Sequence, residues 1–258
     1  TELSVADYLD ARGAEQDLFV EQIFAPICAY GSHVAIVHYS ATEESNVSVE
    51  PKSFLLVDAG GHYLEGTTDT TRTFAMGELT YEEKHLYTAV CRGNLHLAHA
   101  RFLHGCTGLN LDILCREPMW KLGLDFKHGT GHGVGYILNV HEGPNAFRWK
   151  QSPSLSNAVL EPGMVTTDEP GLYLTGKFGI RLENELVCKK LTDNEYGTFL
   201  GFEILTMIPF DLNAVLPEEM SEEERQWLNE YHQKVYETVA ESLPEEERIW
   251  LREATRQI

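Results

Sequence analysis

In Phe54-Leu55-Leu56-Val57-Asp58-Ala59-Gly60-Gly61 a carboxylate follows four apolar residues, and Gly66-Thr67-Thr68-Asp69-Thr70-Thr71-Arg72 supplies a second one a short turn later. An apolar run of this length, bounded by glycines, reads as a buried strand that returns as a hairpin. Asp58 ends the first strand and Asp69 lies in the second, so both side chains can project to one end. Two adjacent carboxylates raise each other's pKa unless a cation sits between them. Alone, the pair is unremarkable.

Its interest grows because Val165 to Val187 echoes it. That segment also reads as a strand, a Gly-containing turn and a returning strand, with Glu169 and Glu183 in the corresponding places. The echo predicts an internal duplication of strand pairs that face each other across a shared site. Glu183 lies in strand-like Ile180-Arg181-Leu182-Glu183, and a buried carboxylate demands a partner. Arg181, on the same strand face, can supply one by an ordinary ion pair. Between the two segments stands His128-Gly129-Thr130-Gly131-His132-Gly133-Val134-Gly135, followed by Asn139-Val140-His141-Glu142-Gly143-Pro144. Glycines admit close approach of backbone and ligand, and neutral imidazoles ligate metals or hydrogen-bond. Four carboxylates and a histidine cluster suit manganese, iron, cobalt or zinc, with little role for thiolate. Bridging carboxylates are what a two-metal hydrolytic centre needs.

The remaining composition is permissive. The 258 residues are 43% hydrophobic and 23% charged, enough for one large domain with a substantial core. Net charge is −20, from 40 acidic and 20 basic residues, which repels phosphate backbones and argues against nucleic acid as a partner. No apolar run approaches the roughly 18 residues of a membrane span, and no leader peptide is visible, so a cytoplasmic protein without a membrane partner is expected. The five cysteines are scattered and odd in number, which points to reduced thiols that pack rather than react. Helix is predicted over Ser4–Phe24, from Thr80-Tyr81-Glu82-Glu83 to about Phe102, and from near Leu109 to Leu122 with a disturbance at Pro118. Ala35-Ile36-Val37 reads as a short strand. From Pro217 a helical tail is expected, capped at Ser221, carrying Trp227, Leu228, Tyr231, Val235 and Val239 at helical spacing, and broken at Pro244. No chemistry is legible in it.

The motifs VDAGGHYLEGTTDTTRTF, HGTGHGVGYILNVHEGP, EPGLY and GIRLENELV together resemble the pita-bread metallopeptidases, and within them the aminopeptidase P family. The likeness covers nearly the whole chain. It implies an α+β pita-bread fold with pseudo-duplicated antiparallel strand pairs and flanking helices, over residues 1–215, plus a C-terminal helical extension over 216–258. It implies five ligands for two divalent ions, most readily Mn2+, with Zn2+, Co2+ or Fe2+ as alternatives. Asp58 would bind one ion, His132 and Glu169 the other, and Asp69 and Glu183 would bridge. By the same resemblance His38, His128 and His141 serve substrate and second-sphere roles, with Tyr173 and Arg181 as hydrogen-bonding support. A hydroxide bridging the ions would attack the carbonyl before a proline. His141 and His128 would support the oxyanion, Glu169 would shuttle a proton, and His38 would hold the proline side. Peptides with proline second are then the substrates, and a homodimer is implied. Asp168 and Ala59 depart from commoner family residues, with little effect expected.

Family members carry an N-terminal domain and an opening helix ahead of the point where this chain begins at Thr1, so a fragment lacking both is the expectation. A prolidase, confined to Xaa-Pro dipeptides, has the same ligands. The spacer from His132 to His141 and the helical tail favour aminopeptidase P, and fit a methionine aminopeptidase poorly. A catalytically inactive pita-bread binding module is the rival of another class, but such modules lose ligands, and here all five positions are filled.

Overall fold

The computed structural model describes residues 1–151 and 157–258. Thr1 caps helix α1 (Glu2–Ala14), accepting a hydrogen bond from the Ser4 amide. The helix expected to reach Phe24 stops earlier. Glu15 closes it, Leu18 takes φ +64°, and Phe19–Gln22 leaves as strand β1. Apolar spacing continued past the true end because Phe19 and Ile23 serve a sheet instead. After β2 (Ile27–Tyr30) comes a single 3-10 turn, Gly31–Ala35. Ala35-Ile36-Val37 is therefore not a strand, and Ile36 is 54% exposed. Three apolar residues are too few to set a period.

Strands β3 (Phe54–Tyr63) and β4 (Gly66–Ala75) form the predicted hairpin. β3 takes β4 on one side and β1 and β2 on the other, all antiparallel. Thr80 and Glu83 make the reciprocal cap of α2 (Tyr81–Ala98), which ends before the expected Phe102. Phe102–Leu103 is instead β5, at the edge of the second sheet. Helix α3 (Gly108–Trp120) runs through Pro118. The second sheet adds β6 (Gly131–Val134), β7 (His141–Phe147), β8 (Val165–Asp168), a short hairpin β9 (Gly171–Leu174) and β10 (Phe178–Arg181) standing beside it, then β11 (Asn184–Asn194) and β12 (Gly197–Ile204). Its order is β5-β12-β11-β8-β6-β7. The strand that returns beside β8 is β11, so the echo of β3–β4 is split by an inserted hairpin.

The tail forms α4 (Glu222–Val239), capped by Ser221, and α5 (Glu245–Ala254) after Pro244. Leu228, Val235 and Leu251 are buried in the same core as Tyr87, Val90 and Leu95 of α2. Each such side chain contributes about 1.5–3 kcal/mol by leaving water. All five cysteines are free, and every one except Cys106 is fully buried.

Candidate metal centre

The hairpin register explains why Asp58 and Asp69 meet. Asp58 lies opposite Thr71 and Asp69 opposite Gly60, so by alternation both carboxylates stand on one face, diagonally across the pair. A Cβ at Gly60 would fall 1.8 Å from the Thr68 carbonyl oxygen, which makes glycine obligatory there. The second sheet reaches this face through backbone pairing, the Glu183 amide donating to the Thr71 carbonyl at 3.0 Å. The Thr71 hydroxyl then donates to Glu183 Oε2 at 2.7 Å. Glu169, one residue past β8, is fixed by its amide to the Thr130 carbonyl at 2.7 Å. His132 on β6 donates from its own amide to Thr167 Oγ1 at 3.1 Å.

His132 Nδ1 lies 3.0 Å from the Gly133 carbonyl oxygen. A carbonyl only accepts, so Nδ1 carries the proton and Nε2 presents a lone pair. Burial lowers the His132 pKa to about 4, so the ring is neutral. That lone pair faces Asp69 Oδ2 and Glu169 Oε1, each at 3.5 Å. Three electron-rich atoms at these separations repel one another unless a cation or a proton lies among them. The ligand atoms of Asp69, His132 and Glu183 all fall within 4.8 Å of one another. Burial, reinforced by Asp58 and Glu169, raises the Asp69 pKa well above the usual carboxylate range. Glu183 is raised likewise, by burial and then Asp69, and burial takes Glu169 to about 7. Asp58 Oδ1 is buried with no hydrogen-bond partner among the described residues. These residues fit divalent ions held by oxygen and one imidazole.

A cavity of about 750 Å3 opens over this cluster. His38, His128, His141 and Arg181 line it with the five ligand candidates, while Tyr173 stands behind. Arg181 does not pair with Glu183 as expected. It donates from Nη2 to Asp58 Oδ2 at 2.6 Å, and from Nε to Thr71 Oγ1 at 3.1 Å, because β10 ends at Arg181 and the chain turns before Glu183. Arg181 Nη1 donates to Tyr173 Oη at 3.0 Å, and that hydroxyl lies 2.9 Å from His128 Nε2. With His128 Nδ1 on the Gly129 carbonyl, both ring nitrogens are engaged, and burial lowers its pKa to about 4. His141 packs edge-on against His132, ring centroids 4.2 Å apart, and is exposed on its other side. On the opposite face of the hairpin lies another cavity of about 650 Å3, apolar and lined by Leu9, Val57, Phe74 and Trp250, with no imidazole.

Several supporting residues escaped the sequence reading. Thr71 ties Glu183 to Arg181, a role hinted at only by the hydroxyl-rich run around Asp69. Buried Arg116 and Asp112 of α3 clamp the histidine loop, Arg116 Nη2 donating to the His128 carbonyl at 2.9 Å and Thr130 Oγ1 donating to Asp112 at 2.6 Å. Arg148 lines the cavity with a buried Nε that has no partner among the described residues. Arg72, also buried, meets carbonyl oxygens of Thr71 and Glu183, Asn184 Oδ1 at 2.7 Å and Tyr231 Oη at 2.9 Å. Tyr231 belongs to α4, so the tail reaches the backbone that carries Glu183 through Arg72. Tyr231→Phe removes this tie and is expected to cost about 1–2 kcal/mol, lowering Tm by roughly 2–8 °C. An unchanged melting curve would mean that Arg72 is held without the tail.

Facing strand pairs that bury this donor set define an oxygen-rich, divalent-metal-ligating protein. The chain belongs to metallopeptidase family M24, whose profile matches residues 1–190, while that of the C-terminal region of peptidase M24 matches residues 198–258. Its fold is that family's pita-bread fold. Aminopeptidase P1 from Arabidopsis thaliana is 44% identical over 93% of this chain and 37% of its own length. The X-prolyl aminopeptidase from Caenorhabditis elegans, described as a cytosolic enzyme with a di-nuclear active site, superposes with TM-score 0.94 at 39% identity, over 100% of this chain and 42% of its own. The prolidase from Pyrococcus horikoshii superposes with TM-score 0.68 at 28% identity, over 82% and 55%. The chain thus spans a little over a third of the curated relative's length.

Proposed function

We propose that this chain carries the catalytic centre of an Xaa-Pro aminopeptidase, cleaving the bond between an N-terminal residue and a following proline. The observation that carries the reading is the His132 lone pair facing Asp69 and Glu169 at the floor of a peptide-sized cavity. The relatives named for this activity support it, as does the superposition of the whole chain on the X-prolyl aminopeptidase from Caenorhabditis elegans. The division into residues 1–215 and a helical extension over 216–258 belongs to the same proposal. So do a cytosolic location, a homodimer and manganese as the first metal to try.

Asp58 would hold one ion, His132 and Glu169 the other, with Asp69 and Glu183 shared. When bound, the pair supplies an activated water near neutral pH and polarises the scissile carbonyl. The chain's own groups do the rest. The acidic floor attracts the substrate's α-ammonium and restricts cleavage to chain ends. Ile23, Phe24, Val37 and Val140 give the cavity an apolar wall against which a proline ring packs, with exposed His38 at its rim. Glu169, at the cavity floor, can take a proton and pass it to the departing proline nitrogen. His141 is free to stabilise the oxyanion. His128, with both nitrogens committed, supports the Tyr173–Arg181–Asp58 chain instead.

The test is substrate length. Holoenzyme with manganese is expected to hydrolyse Xaa-Pro-Xaa peptides with kcat/KM at least about tenfold above the matching Xaa-Pro dipeptides, a difference of about 1.4 kcal/mol in transition-state binding. Preference for the dipeptide would make the chain a prolidase. Failure to retain any divalent metal after reconstitution would make it an inactive binding module.

A further inference from the structure

The loop between β6 and β7 leads into His141, the first residue of β7, which pairs with Val134, and its geometry needs restraint. Gly135 donates its amide to the Val140 carbonyl at 3.2 Å, and a Cβ at Gly135 would fall 2.1 Å from the Asn139 carbonyl oxygen. At the tip Ile137 takes φ +49°, a region that a β-branched side chain enters only under constraint. Burial does not provide that constraint, because Tyr136, Ile137 and Leu138 are 57%, 41% and 64% exposed. Two hydrogen bonds to the β3–β4 hairpin do. Tyr136 Oη donates to the Leu64 carbonyl at 2.7 Å, and His62 Nε2 donates to the Leu138 carbonyl at 2.9 Å. His62 is itself buried at 2% exposure, with Nδ1 2.8 Å from Thr67 Oγ1, so its ring orientation is fixed from both sides.

We propose that His62 is the positioning residue for His141, fastening the strained loop to the same hairpin that carries Asp58 and Asp69. The inference rests on the role given to His141 under the proposed function. Its physical content is that one rigid ribbon sets the distance between the acidic floor and the oxyanion donor. His62 touches neither substrate nor ligand atoms. It acts through the Leu138 carbonyl, three residues before His141.

The experiment compares the metal-replete protein with His62→Ala and His62→Gln, alone and combined with His141→Ala. The readouts are amide hydrogen exchange over residues 136–141, bound metal, and kcat/KM on an Xaa-Pro-Xaa peptide. In His62→Ala the loop amides are expected to exchange at least about tenfold faster and kcat/KM to fall roughly ten- to a hundredfold, the scale of a misplaced catalytic group, with bound metal unchanged. His62→Gln restores most of both, since a glutamine amide nitrogen lies close to the position of Nε2 and donates as it does. In the His141→Ala background His62→Ala adds no further loss. Unchanged loop exchange in His62→Ala, a full extra loss in the His141→Ala background, or loss of metal would each overturn the proposal. The exchange measurement needs no turnover. A chain inactive on every Xaa-Pro peptide would sink the functional reading, while exchange alone would still decide whether His62 holds the loop.

Discussion

Alanine at Asp69 or Glu183 is expected to remove bound metal and lower Xaa-Pro cleavage by about a thousandfold or more, at least the scale on which a preorganised electrostatic partner acts. Stability is expected to move the other way. In the metal-free protein Asp69 repels Asp58 and Glu169, and burial keeps its pKa high, so its carboxylate opposes folding. Asp69→Asn fills nearly the same volume without charge. Its metal-free melting temperature is therefore expected to equal or exceed that of the unsubstituted protein, while turnover is lost. Calorimetry of the metal-free pair, with metal analysis and peptide hydrolysis, checks both halves. Near-normal activity in either metal-replete alanine variant would remove these residues from the centre.

Divalent metal is expected to be a large stabiliser, and more so as pH rises. At a free concentration 100 times its Kd, a ligand specific for the folded state adds about 2.7 kcal/mol, which for a chain of this length raises Tm by roughly 5–10 °C. The pH dependence follows from the raised carboxyls. A group whose folded pKa lies above its unfolded one favours folding at low pH, and that contribution disappears as pH climbs through the folded value. For Glu169 the window runs from the ordinary carboxylate range up to about 7, and Asp69 and Glu183 are raised in the same direction. In the metal-free protein the carboxyls' contribution is thus lost as pH rises to about 7, while buried His128 and His132, lowered to about 4, act in the opposite sense up to the ordinary imidazole range. Metal competes with these protons, so the thermal shift on adding manganese grows over the same interval. A shift independent of pH would mean that the carboxyls are already ionised without metal.

The candidate site was legible where its signals are local. Each ligand candidate stands in a short motif with glycines or hydroxyls at fixed offsets, and the β3–β4 hairpin follows from its apolar run and turn. Arg181 shows where such reading fails. Spacing along one strand suggested Glu183, but the turn after β10 swings Glu183 onto Thr71 and leaves the guanidinium facing Asp58. Partners chosen by tertiary pairing leave no periodic trace. The same holds for Arg72 and Tyr231, whose contact joins residues far apart in the chain, and for His62, whose role exists only once the β6–β7 loop lies over the hairpin. Helix α1 was overextended because apolar spacing cannot distinguish a helix from the strand that follows it, whereas the left-handed backbone at Leu18 ends the matter.

The tie between Thr71 and Glu183 spans 112 positions of the chain. During synthesis the first half of the centre leaves the ribosome well before the second half exists. At ~5–20 residues per second, that interval is on the order of ten seconds. For roughly the first half of it, until His132 is made, the nascent hairpin holds two facing acids without the imidazole proposed to share their cation. On the proposed ligand assignment, loading with metal therefore belongs to the finished polypeptide, and a ribosome stalled ahead of His132 would display an acid pair unable to retain its ion.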